Sequence, residues 1–137
     1  MKRSANALLA ALTISVLSLA PQSLVRAGDV LSGAKVIHTA SFIGENDHVV
    51  SGQAQIVQKG ENYYLVLGKD FSFDGAPDPR LGFSKNNTFV KASLFSGLNL
   101  DSGKQIYRLP ATLSVSDFDE ITIWCEKFGV PLAEAKF

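Results

Sequence analysis

The chain has 137 residues, 13 Lys and Arg against 13 Asp and Glu, 46% hydrophobic residues and one cysteine. Its length bounds the folded part to one domain, and its charge balance leaves no basic run for nucleic acid or an anionic membrane surface. A single cysteine excludes a disulfide framework within the chain.

At the amino end, Lys2 and Arg3 precede an uncharged apolar run from Ala7 to Ala20, followed by Val25-Arg26-Ala27. These three parts predict a secretory signal peptide over residues 1–27, cut after Ala27, because a cut after Ala20 would leave Pro21 at the new terminus. The run is shorter than the roughly 20 residues that span a bilayer, so no membrane span is expected in the mature chain. No cysteine follows it for lipid attachment. Loss of Lys2, Arg3 and Arg26 leaves 10 basic against 13 acidic residues, a net charge of about −3, in an exported domain of residues 28–137. The expected location is periplasmic or extracellular.

Beyond residue 27 no stretch keeps apolar residues at helical spacing for three turns, and short alternating runs are broken by turn residues. The pattern predicts an all-β domain, a small sandwich or barrel-like fold. The expected strands cover residues 35–42, 49–58, 63–67, 88–94, 105–109 and 120–125, with a short last one near 135–137. Lys59-Gly60-Glu61-Asn62 reads as a hairpin turn, and Asp101-Ser102-Gly103 precedes another strand. Residues 70–79 hold Gly75, two prolines and three aspartates, which predicts an irregular loop with Phe71 and Phe73 tucked beneath it.

Alternation places Ile121, Ile123 and Cys125 on one face of a strand and Thr122, Trp124 and Glu126 on the other. By phase, Cys125 is a buried small hydrophobe and Trp124 covers the outer face or lies under a loop. Cys125 also ends its strand beside Glu126 and Lys127, where fraying would expose a reactive or ligating thiol, so both readings stay open. His38 and His48 lie on or beside the first two strands, where a hairpin would bring them together. With Cys125 they make a ligand set of the kind that holds copper or haem, although the spacing singles out neither and there is no CxxCH. Asp70, Asp74 and Asp78 recur every fourth residue without the order of a calcium loop, and Asp117, Asp119 and Glu120 form a second acidic group. No GxSxG or HExxH motif marks a self-sufficient enzyme. Asn86-Asn87-Thr88 reads as a polar turn before a strand.

Several ordered landmarks then stand out: Phe42 with His48-Val49-Val50-Ser51-Gly52, Asp70-Phe71-Ser72-Phe73, and Gly75-Ala76-Pro77-Asp78. Further on come Gly103-Lys104-Gln105-Ile106-Tyr107-Arg108-Leu109-Pro110 and Ile123-Trp124-Cys125-Glu126-Lys127-Phe128-Gly129-Val130, with Ala135 near the end. From Phe42 to Phe137 the chain resembles the DM-thirteen domain, an extracytoplasmic β domain found alone or beside cytochrome-type domains. The resemblance implies a role in electron transfer, with Cys125 as the candidate redox thiol and a redox protein as partner. Two places depart from the family pattern. Pro79-Arg80-Leu81-Gly82-Phe83 introduces a proline and a glycine that predict a weakened strand, and Leu132-Ala133 stands where Phe-Gly is common. The rival expectation is an extracytoplasmic ligand- or protein-binding module in which Cys125 only packs and Trp124, Asp74 and Asp78 contribute to contacts.

Overall fold

The computed structural model describes residues 30–137, and the expected signal peptide, residues 1–27, lies outside them. β-Branched and aromatic residues in short runs, broken by glycine, proline and asparagine, favour strands over helix throughout. In chain order the strands are β1 (Lys35–Ser41), β2 (Ile43–Gly44), β3 (Val50–Ser51), β4 (Gln53–Lys59), β5 (Asn62–Leu67) and β6 (Ser72–Phe73). They continue with β7 (Pro79–Lys85), β8 (Thr88–Val90), β9 (Ser96–Gly97), β10 (Gln105–Arg108), β11 (Glu120–Cys125) and β12 (Val130–Lys136). Helical structure among the described residues is limited to two 3-10 turns, Lys91–Ser93 and Val115–Asp117. No helix there is long and apolar enough to cross a membrane.

The expected all-β class is what forms. One antiparallel sheet runs β1-β4-β5-β10, a second runs β2-β12-β11-β7-β8 with β9 also on β7, and β3 pairs with β6 as a separate ribbon. The two larger sheets enclose an apolar core between them, in the manner of a small sandwich. Ala54, Ile56, Leu65, Leu67 and Tyr107 meet Leu81, Phe83, Ile121, Ile123, Ala133 and Ala135 there. Phe83 is stacked between Phe118 and Phe95, with ring centroids 5.0 and 5.8 Å away. The hairpin expected at Gly60-Glu61 is present, with Lys59 paired to Asn62. Phe71 and Phe73 are buried as expected, although Ser72 and Phe73 pair briefly with β3 rather than leaving the sheets altogether.

Four sequence expectations are corrected. Residues 49–58 divide at Gly52, whose φ is +103° and where a Cβ would meet the backbone of Phe71 at 2.5 Å. A glycine turns that corner, and β3 and β4 therefore enter different sheets. The strand expected over 88–94 stops at Val90, because the Ser93 hydroxyl folds back to accept from Phe83 N–H at 2.7 Å, also meeting the Val90 carbonyl at 2.6 Å.

The strand expected to be weak at Pro79 and Gly82 is instead β7, which pairs with β11 along six residues and carries β8 and β9 on its other side. Pro79 is tolerated as the first residue of the strand. Gly82 lies under the Phe89 ring, the Ser93 hydroxyl and Leu94, 3.1, 3.2 and 3.3 Å from where a Cβ would be, so its bareness lets the following segment fold across the sheet. The last strand is also longer than expected: β12 accommodates Pro131 where its register against β11 slips between Ile123 and Trp124.

Candidate functional site

Cys125 is the last residue of β11, in phase with Ile121 and Ile123, and only 1% of its surface is exposed. Its thiol donates to the Pro77 carbonyl at 3.2 Å. The loop that supplies this carbonyl is pinned on both sides of Pro77. Before it, the Asp74 carboxylate accepts from Val49 N–H and meets His48 Nδ1, each at 2.9 Å. The Val49 amide first, and then His48, hold the Asp74 carboxyl below the usual aspartate range. After Pro77, Asp78 adopts φ +48°, accepts from Arg80 Nε at 2.9 Å and Nη2 at 3.2 Å, and takes Glu126 N–H on its backbone carbonyl. Three residues beyond the thiol, in the β11–β12 turn, Phe128 is 65% exposed with the Lys127 ammonium over its ring.

The histidines do not meet as the hairpin reading expected, because β1 pairs with β4 rather than with the segment around His48. His38 stands opposite Ile56, its ring 4.3 Å from that of Phe137. His48 is bound to Asp74 and lies 5.9 Å from the Phe73 ring. Among the described residues no three His, Cys, Asp or Glu side chains gather as a metal site, so Cys125, His38 and His48 do not form the ligand set considered for copper or haem. Asp70, Asp74 and Asp78 serve three separate partners, the first accepting from Gln53 N–H.

The segment around β10 is a scaffold. Tyr107 and Gln105 are buried on one face of the strand, and the Tyr107 hydroxyl donates to Gln105 Oε1 at 2.5 Å while accepting from Asn99 N–H at 2.9 Å. The Gln105 amide in turn bonds Leu100 N–H at 2.9 Å and the Leu100 carbonyl at 2.8 Å, which ties down the preceding loop. Burial raises the Tyr107 phenol above its usual value.

Over residues 41–137 the chain matches the family described as Electron transfer DM13. The chain belongs to that family. Comparison with curated proteins and with solved structures finds no match. Of the two segments that carry the family likeness most specifically, one is the Gln105 and Tyr107 scaffold and the other is β11 with its turn.

A further group was legible in the sequence only in part, through Trp124 and Glu120 but not Phe89 or Glu134. Trp124, on the outer face as its phase requires, is half-buried and stacked on Phe89, with ring centroids 4.1 Å apart and planes 8° from parallel. The same face carries Glu120 and, from β12, Glu134. Glu120 was in phase with Trp124 and detectable. Glu134 was hidden because Pro131 masked the strand that holds it.

Proposed function

We propose that the domain is an exported redox module, periplasmic or extracellular, that meets a redox protein partner at the end of the six-stranded sheet where Cys125 lies. The family description supports the redox context. The observation that carries this reading is the Cys125 thiol held on the Pro77 carbonyl, under a loop tethered through Asp74 and His48. Lifting that loop frees the sulfur. The thiol then loses its proton to water and attacks one sulfur of a disulfide on the partner; a mixed disulfide forms as the partner's S–S bond breaks, and the second partner sulfur leaves as a thiolate. Asp74 and His48 act as positioning residues that set how often the thiol is reachable. Exposed Phe128 and Pro77 offer the partner an apolar contact beside it.

Thiol labelling of the folded protein tests the proposal. Cys125 is expected to label slowly but faster than global unfolding, and Asp74→Asn is expected to accelerate labelling several-fold. Labelling at the rate of global unfolding in both proteins overturns the redox role. The burial of Cys125 beside Ile121 and Ile123 favours a second reading for that outcome, a ligand- or protein-binding module whose loop over residues 74–79 makes the contacts.

A further inference from the structure

The outer face of the six-stranded sheet holds two adjoining hollows that share Asn87 and Glu134. One, of about 440 Å³, is walled by Phe89, Trp124 and Pro131 with Thr88 and Lys91; the other, of about 380 Å³, adds Ser41, Ile43, Glu45 and Lys136. These volumes suit a small molecule. One end is flat and aromatic, the other carboxylate-rich.

Strand register brings the acids together. Glu134 stands opposite Thr122 on β12, and Glu120 stands opposite Lys136 on the same pair of strands. Glu120 is 2% exposed; its Oε1 accepts from Asn87 N–H at 3.2 Å and lies 3.4 Å from Lys136 Nζ. Its Oε2 is buried with no donor. Glu134 shares this face with Glu120, and burial first, then the Glu120 and Glu45 carboxylates, push its carboxyl above the ordinary value. The charged groups acting on Glu134 are Glu120 and Glu45, which repel its charge, and Lys136, which favours it. Lys136 Nζ already donates to Asn87 Oδ1 at 2.7 Å, and Lys91, on the aromatic side, lies 3.6 Å from Glu126. Both lysines of the lining are thus already engaged by other groups, and the unpartnered Glu120 Oε2 belongs to the same face of the sheet.

We propose that this groove binds a small organic ammonium ion, its flat apolar part against Trp124 and Phe89 and its N–H donors on Glu134. An anion would meet Glu45 and Glu134 in the lining, and the two lysines there, Lys91 and Lys136, already face Glu126 and Glu120. A bare metal ion finds no enclosing set of three ligands among the described residues and makes no use of the aromatic wall. An ammonium ion uses both ends, through hydrogen bonds to carboxylate and attraction to the ring faces. The site lies on the opposite face of β11 from Cys125, so it stands or falls independently of the thiol.

Trp124 is the only tryptophan in the chain, and its fluorescence reports the groove directly. The probes are benzylammonium, its neutral counterpart benzyl alcohol, the anion phenylacetate, and calcium chloride, each titrated by fluorescence and calorimetry. Benzylammonium is expected to perturb Trp124 saturably and bind more tightly than the alcohol. Glu134→Gln, nearly the same in shape, is expected to weaken it about tenfold or more, as loss of a charged hydrogen-bond acceptor does. Affinity is expected to fall with falling pH through the Glu134 titration, which burial first and then Glu120 and Glu45 place above the ordinary value of 4.5. Cys125→Ser is expected to leave it unchanged. Equal binding of the alcohol, tighter binding of phenylacetate, unaltered affinity in folded Glu134→Gln, or saturable binding of calcium alone each overturns the proposal, as does no binding of benzylammonium at millimolar concentration.

Discussion

The two faces of β11 solve the same problem in different ways. Ile121, Ile123 and Cys125 are buried against the opposite sheet by apolar packing, whereas Glu120 and Thr122 are buried on the other face with polar groups that need named partners. Thr122 Oγ1 lies 2.6 Å from Ser84 Oγ, and Glu120 leans on the Asn86-Asn87 turn and Lys136. The apolar face gains from any well-shaped neighbour. The polar face depends on each partner being present, and at Glu120 and Glu134 the accounting of donors does not close. A hydrophobic face makes structure; an under-donated polar face makes a place for a ligand or a proton.

Three substitutions sharpen the contrast. Ile123→Ala leaves a cavity in the closed core and is expected to cost about 3–4 kcal/mol in denaturant unfolding; a loss under about 1 kcal/mol would show that the sheets repack freely. Thr122→Val keeps the volume but leaves Ser84 Oγ without its partner, at an expected cost of about 1–2 kcal/mol. Adding Ser84→Ala should recover most of that loss, and a double variant no better than the single one would place the role of Thr122 elsewhere.

The smallest effect is electrostatic and depends on pH. Because the folded-state pKa of Glu134 is raised, by burial and then by Glu120 and Glu45, its ionisation above 4.5 lowers stability. Glu134→Gln is therefore expected to melt higher than the parent near neutral pH. This advantage should shrink as pH falls through the folded-state value of Glu134 and end below 4.5. Asp74 has the opposite sign: its lowered pKa contributes stability that is present above 3.8 and lost as pH falls through its folded-state value. Melting curves across this range check both, and a Glu134→Gln advantage that persisted undiminished at acid pH would rule out charge as its cause.

Alternation along β4, β5, β10 and β11, together with the turn at Gly60-Glu61, was enough to read the all-β class, the inward phase of Cys125 and the outward phase of Trp124. These are properties of a pleated chain, in which successive side chains point to opposite faces whatever lies across from them. The misread elements share a different cause. Gly82 and Pro79 looked like weakness because their reasons lie elsewhere: Phe89, Ser93 and Leu94 fold over the first, and the second begins its strand. His38 and His48 were separated by a choice of strand partner that neither residue encodes locally.

The sequence by itself determined which residues turn inward, since period and turn chemistry act between near neighbours. Only the tertiary structure decided that Cys125 lies on the Pro77 carbonyl, 48 residues earlier in the chain, and that Glu120 and Glu134 meet beside an aromatic wall. Hydrogen bonds and desolvation depend on distances of a few ångströms between groups remote in sequence, and those distances exist only once the sheets have paired and packed.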